Sequence, residues 1–525
     1  MRELLQGSLF WRFLLALGSC WRGSVPYRFF SGLRAMVRRS STHRLLITGL
    51  SSPARQVGNA RVRDFLRRWN ERLWRFGRRA APVVESSLLC RAVRAVFHCG
   101  RESRLLGRMF QGGVCSVFLT VLALYGLVDY ALRDVLSIPV VSSLWDEALL
   151  ILTLLWLVWD RMRAPSPRPV RANPLEPAVF MFVGVGLALM FIISPFFSIA
   201  VAGWRATVQY MLWFFVVIRL LRDDWDLMNL YYVMVGAAFL IALHGIYQYI
   251  VAVPIPSNWT DQAEQSVRTR VFSIFGSPNI MGDFMVMFAP MAAALAYRAR
   301  SVKGKLFFWF VTFCMCFSCL FTMSRGAWMA MAVAVLVFSA LVDRKLLLLI
   351  LAAGLCSLSL PFVASRIGYL LTPEFIASTT NGGRASRWAL ALKYWSESPL
   401  FGVGLGMFGG AVAMQHKIYS AVSYFYVDNY YLKILVEMGV VGLAAFLALL
   451  VCLLITGART LYRSARIQKD RSAYLLGAGL FSGLCGVVIH CYFENIFEEP
   501  YMMAYFWTIA AMLVYLGFFR KTKIE

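Results

Sequence analysis

The sequence predicts an all-α, polytopic integral membrane protein with about 12 transmembrane helices and a large external loop containing an amphipathic helix. Three observations predict it. Of 525 residues, 59% are hydrophobic and 15% charged, against roughly 45–50% and 25% in soluble globular proteins. Apolar runs of about 20 residues recur along most of the chain, each long enough to cross a hydrocarbon layer ~30 Å thick. Basic residues gather in alternate connections between those runs, as membrane topology requires.

The first 112 residues form a separate basic region. They hold 22 Arg, no Lys and 5 acidic residues, the larger part of the formal net charge of +26. Nucleic-acid binding is one reading of such a block. Fused to a membrane domain, it better fits anionic headgroups, at ~1 kcal/mol per basic residue near the surface; membrane lipids are therefore the expected partner, with no nucleic acid. The opening MRELLQGSLFWRFLLALGSCW carries Arg12 in its middle and has no convincing cleavage site, so it reads poorly as a signal peptide. Residues 59–80 set Val62, Phe65, Trp69, Leu73 and Phe76 three to four apart among arginines, the pattern of a helix lying on a membrane.

Residues 113–520 form the membrane domain. Spans are expected at 113–131, 146–160, 177–194, 204–221, 228–251, 277–298, 305–322, 326–342, 346–365, 429–457, 473–491 and 500–519. The basic connections 160–171, 297–305, 343–345 and 457–471 and the terminal FRKTK fall on one side with the N-terminal block. That side is then cytoplasmic and both termini lie inside. Most cysteines sit in apolar runs, where they behave as small hydrophobes. Cys314, Cys316 and Cys319 have no partner ligands nearby in sequence, so no metal site is expected.

The opposite side carries two long segments, 252–276 and 366–428. In the second, RASRWALALKYW places Arg384, Arg387, Trp388, Ala391 and Trp395 on one helical face. Arg270 precedes the span at 277, and Arg325 begins the span at 326. Four arginines thus share the face where positive charge is least favoured. Each alone reads as a snorkelling anchor; together they read as a site for phosphate oxygens, which the guanidinium fork pairs bidentately. Asp428, Glu437, His490 and Glu494 lie near the outer ends of later spans.

In order along the chain, RVFSIFGSPNIMG (270–282), FTMSRGAW (321–328), GRASRWALALKYWSESPLFGVGLGMF (383–408) and DNYYLKILVEMGVVGL (428–443) resemble the O-antigen ligase and polysaccharide polymerase family over roughly residues 203–443. The resemblance continues weakly through HCYFENIFEEPYMMAYFW (490–507). It implies a metal-independent glycosyltransferase of the bacterial cytoplasmic membrane that needs no cofactor. The donor would be an undecaprenyl-diphosphate-linked glycan and the acceptor a hydroxyl of a glycan or lipid-glycan at the outer face. By motif, Arg270, Arg325 and Arg384 would bind the diphosphate; Arg384 matches better than Arg387 because Trp388 follows it by four. PLFGVGLGMF, with Gly402 and Gly404, would be the glycine-rich turn after the loop helix. Asp428 stands before Asn429 where ligases of the family typically carry histidine. A carboxylate can serve as general base as an imidazole does, and aspartate there looks more like a polymerase or a ligase of surface polysaccharide.

The expected chemistry is a direct displacement in which the arginines neutralise the departing diphosphate and Asp428 takes the acceptor proton. Glu437 is either a substrate contact or the partner of Lys433, four residues before it. His490 is either an alternative base or a structural histidine. Glu494 and Glu498 can be solvated loop charges, and His244 and Gln248 can line a lipid groove. Gly439 and Gly442 read as helix-packing positions. The rival class is a lipid-linked oligosaccharide flippase or transporter, which would place ionisable groups near the bilayer midplane; here they gather at span ends.

Overall fold

Hydrophobic runs of this length, with no water to satisfy backbone groups inside a bilayer, leave the helix as the available local structure. The computed structural model describes residues 60–520 apart from 104–106, 166–172, 255–268, 370–371, 381–382 and 417–425; among the described residues every regular element is helical. The readings of the opening segment, of the arginines before residue 60 and of most of the terminal FRKTK lie outside the described residues. Those described belong to one unit, Ala54–Glu525.

Helices α1 (Ala60–Ser86) and α2 (Leu88–Glu102) precede the spans. Then follow α3 (Gly113–Ala123), α4 (Tyr125–Val135), α5 (Pro139–Met162), α6 (Glu176–Ile192), α7 (Phe197–Leu220), α8 (Asp224–Val251), α9 (Pro278–Arg298), α10 (Val302–Phe321) and α11 (Arg325–Leu341). The chain continues through α12 (Lys345–Ser357), α13 (Pro361–Gly368), α14 (Pro373–Thr380), α15 (Arg384–Glu397), α16 (Ala411–His416), α17 (Tyr430–Tyr462), α18 (Arg471–His490) and α19 (Pro500–Val514).

Among the described residues, eight helices are long and apolar enough to cross a membrane, or nine if α3 and α4, bent by 67° about Leu124, count as one span. The expected twelve are not reached by that measure. The spans expected at 177–194 and 326–342 are the 17-residue helices α6 and α11, about 25 Å long at 1.5 Å per residue. The span expected at 346–365 is broken into α12 and α13. Pro361, which has no N–H to continue a helix, opens the second piece.

Helix α9 is the interior post: 94% of its apolar window is buried. It packs against α10, α11 and α18, and α18 meets it with Gly479, Gly483 and Gly486, small residues that let helices approach closely. One end of the bundle is tied by polar contacts among its connections. Arg222 pairs with Asp160 (3.2 Å), Arg219 with Glu176 (3.0 Å) and Arg520 with Asp224 (2.6 Å). There too Arg298 Nε donates to Ser472 Oγ (2.7 Å) and Tyr297 to Asp343 (3.1 Å).

Helix α17 opens at Gly439, whose φ of 65° and ψ of −168° are not helical. The freed backbone groups are met by the 399–404 turn. Val403 and Gly404 donate to the carbonyls of Val436 (2.9 Å) and Glu437 (3.1 Å), while Val440 and Val441 donate to those of Pro399 (2.9 Å) and Leu400 (3.1 Å). Gly402 (φ 77°) and Gly404 (φ 112°) take backbone conformations that disfavour other residues. A Cβ on Gly402 would lie 2.4 Å from the Glu437 carbonyl carbon, and one on Gly439 2.3 Å from that of Leu400. Gly439 is therefore the seam between the loop and the membrane helix rather than a helix-packing position.

Candidate functional site

The end of the bundle opposite those tied connections is where α9, α11, α15 and α17 begin. Helix α9 is capped by Ser277 and α11 by Ser324. Asn429 caps α17, its side chain accepting from Leu432 N–H at 3.0 Å. A helix N-terminus carries roughly half a positive charge. Yet Arg325 and Arg384 are the first residues of α11 and α15, where a cation is disfavoured by ~0.3–1 kcal/mol. Helix stability alone does not explain these arginines.

Arg270 is presented by a turn clamped from α8. Gln248 Oε1 accepts from the N–H groups of Phe272 (3.2 Å) and Ser273 (2.7 Å), and its Nε2 donates to Ser273 O (3.2 Å). His244 Nδ1 lies 3.0 Å from Ser273 Oγ. Both side chains hold the turn rather than line a lipid groove. Arg270 Nε donates to Thr322 O (3.2 Å), just before α11, and its Nη2 to Asn279 Oδ1 (3.4 Å). Burial, and then the charge of Arg325, lowers the Arg270 guanidinium to about 10 against the opposing pull of Glu494. The Arg325 guanidinium stands 5.7 Å from the centre of the Tyr369 ring.

Glu494 is buried at the centre of this cluster. Asn279 Nδ2 donates to its Oε2 at 2.5 Å. Burial, then the charge of Asp428, raises its carboxyl to about 7, against the influence of His490 and Arg384. Arg384 Nη2 donates to Phe493 O (3.1 Å) and stands 3.8 Å from Asp428 Oδ2; its Nε is buried with no hydrogen-bond partner among the described residues. Arg387 Nη1 is 2.8 Å from Asp428 Oδ2 and donates to Tyr426 O at 2.8 Å. Trp388 Nε1 donates to Val427 O (3.0 Å), and its ring meets Tyr492 edge-on. Together they fix Asp428, which sits in the left-handed region at φ 50°. Burial raises the Asp428 carboxyl, while Arg387 and Arg384 oppose that rise. Asn429 N–H donates to Asn495 Oδ1 (3.2 Å).

Arg270, Arg384 and Asp428 thus come together around Glu494 and Asn279, with Arg325 near enough to Arg270 for its charge to act on it. Arg387 is engaged in holding Asp428 and the backbone before it. His490 lies inward: its Nδ1 is 2.9 Å from Asp283 Oδ1, both side chains are buried, and a Cβ on Gly326 would come within 2.9 Å of its Nε2. Glu437 has taken its structural alternative. Lys433 Nζ lies 2.8 Å from Glu437 Oε1 and 2.9 Å from Glu498 Oε1, and Phe408 N–H donates to Glu437 Oε1 (3.2 Å). The adjoining cavity, about 10 Å³, holds at most one water and no sugar.

Two residues of the site, Asn279 and Asp283, carry no signal of their own in the sequence, and a third, Glu494, carries an ambiguous one. Asn279 stands in the quoted SPN opening of α9, where a polar side chain in a helix's first turn is ordinary. Asp283 is one turn further along a helix buried on all sides. Glu494 is open in the sequence between a site residue and a solvated loop charge, because nothing local marks the 491–499 turn as buried.

A protein-family model described as O-antigen ligase matches residues 310–447, a stretch that holds Arg325, Arg384, Arg387, Asp428, Asn429 and Glu437 but not Arg270, His490 or Glu494. No curated protein matches the chain.

Proposed function

We propose, taking as premise that residues 310–447 form an O-antigen ligase-like domain of a bacterial membrane protein in glycan ligation or polymerisation, that the chain moves an undecaprenyl-diphosphate-linked glycan onto an acceptor hydroxyl. The reaction occurs at the outer face of the cytoplasmic membrane, with both termini inside. The observation that carries this is the grouping of Arg270, Arg325 and Arg384 from three chain regions, with Arg270 and Arg384 near the Glu494 carboxylate and Arg325 near Arg270. Such donors suit the two phosphates of a lipid carrier.

The acceptor oxygen attacks the anomeric carbon as the bond from that carbon to the diphosphate oxygen breaks. The electron pair leaves with undecaprenyl diphosphate, whose growing charge is met by the three arginines. The acceptor proton passes to Asp428, which Arg387 and Trp388 orient. A single displacement inverts the anomeric configuration. Glu494 is the second reading for the base, favoured because its carboxyl is raised to about 7, near the pH at which a general base works best.

The test is reconstitution of the protein with a lipid-diphosphate-linked glycan and an acceptor glycan, following released undecaprenyl diphosphate. The wild-type protein releases it, Arg325→Ala does not, and Arg325→Lys recovers little because an ammonium lacks the fork. Movement of the intact lipid-linked glycan across the bilayer without cleavage would instead establish the flippase reading.

A further inference from the structure

Helix α1 has three different faces. At 100° per residue, Phe65, Trp69, Phe76 and Val83 fall within about 40° of one another, and all are bare, with exposures of 59%, 54%, 64% and 73%. Arg68, Arg72, Arg75 and Arg79 occupy the adjoining sector and are exposed. Asn70, Trp74 and Gly77 lie more than about 75° away on the far side and face the protein. Trp74 Nε1 donates to Ala164 O (2.7 Å), Arg161 donates to Asn70, and a Cβ on Gly77 would lie 2.3 Å from Met162 Cβ.

That docked face fixes the location of the other two. Met162 ends α5, a helix long and apolar enough to cross a membrane, so α1 is fastened at the end of a candidate span. The docked face uses Asn70, Trp74 and Gly77 for its contacts; the three other large aromatic residues, Phe65, Trp69 and Phe76, are left outside. Bare apolar residues beside a row of arginines, at the end of a span, match the acyl chains and anionic headgroups of one leaflet. A second protein chain would have no need of the arginine row.

We infer that α1 lies in the plane of the bilayer at the end of α5, with Phe65, Trp69, Phe76 and Val83 among acyl chains and Arg68, Arg72, Arg75 and Arg79 on anionic phospholipid headgroups. The same contacts brace α5 from the leaflet opposite the arginine site.

The test is amide hydrogen exchange of the full chain in nanodiscs of phosphatidylcholine alone or mixed with phosphatidylglycerol. Exchange over residues 64–84 slows by about tenfold with phosphatidylglycerol. The quadruple variant R68Q/R72Q/R75Q/R79Q, altered only at exposed positions, loses that difference. F65E/W69E/F76E loses protection in both lipids, and unchanged exchange in α9 shows that each variant is folded. W74A loosens α1 in both lipids. Equal exchange in the two lipids overturns the inference, as does a lipid difference that survives in the quadruple variant. Protection that follows the number of chains per disc would identify a second copy as the occupant and also overturns it.

Discussion

Arg387 Nη1 lies 2.8 Å from Asp428 Oδ2 while also donating to Tyr426 O at 2.8 Å, so one guanidinium fixes both the carboxylate and the chain that delivers it. Asp428→Asn keeps the shape and removes the proton acceptor. If Asp428 is the base, turnover falls by about 10²–10⁴-fold while donor binding is unchanged. Arg387→Lys, which cannot span both partners, lowers turnover less. Initial rates and donor binding in the reconstituted system separate the two effects.

Glu494 gives a pH dependence whose sign follows from its burial. Its carboxyl is raised to about 7, so it is neutral below that pH and competes least with the diphosphate for Arg270 and Arg384. The donor KM should rise as pH increases through 7, and Glu494→Gln should hold it low throughout. The fold favours the neutral form, so the stability due to this group is complete below its ordinary value near 4.5, fades as pH rises from there, and is lost once pH has passed through about 7. A base role would instead show as a turnover that climbs through pH 7 and is lost in Glu494→Gln.

Lys433 binds two buried carboxylates, Glu437 and Glu498. Lys433→Met leaves both uncompensated, and removal of one partner from a buried pair costs about 3–5 kcal/mol. Thermal unfolding in detergent should show a large loss of stability, with the folded fraction retaining donor affinity. Normal stability with abolished turnover would return Glu437 to the reacting centre.

Gly439 joins the loop to the membrane helix. Alanine there must hold a positive φ and displace the Leu400 carbonyl from 2.3 Å; the conformational part alone costs about 1–3 kcal/mol. Gly439→Ala should destabilise the protein and release the 399–408 turn, seen as faster proteolysis within 399–408 while α9 stays protected.

Much of the helical plan was legible because a bilayer permits few alternatives to long apolar helices, and the outward arginines stood out against the charge bias of membrane loops. The count of twelve ran ahead of the structure at Pro361, which splits one span, and at two helices of 17 residues. Glu437 could not be assigned from spacing alone, since Lys433 four residues earlier fits an ion pair as well as a site. Gly439 has the spacing of a packing glycine; its real task depends on a turn some forty residues away. Burial of Glu494 depends on Asn279 and Arg384 arriving from other parts of the chain, which no local pattern in 491–499 records.

The convergence of Arg270, Arg325 and Arg384 on one diphosphate can be measured as binding of undecaprenyl diphosphate to the wild-type chain, the three alanine variants and their pairwise combinations. Groups gripping the same ligand should couple, so that each single variant weakens binding strongly and the double variants lose clearly less than the sum. Strictly additive small losses, or affinities equal to wild type, would contradict a shared site.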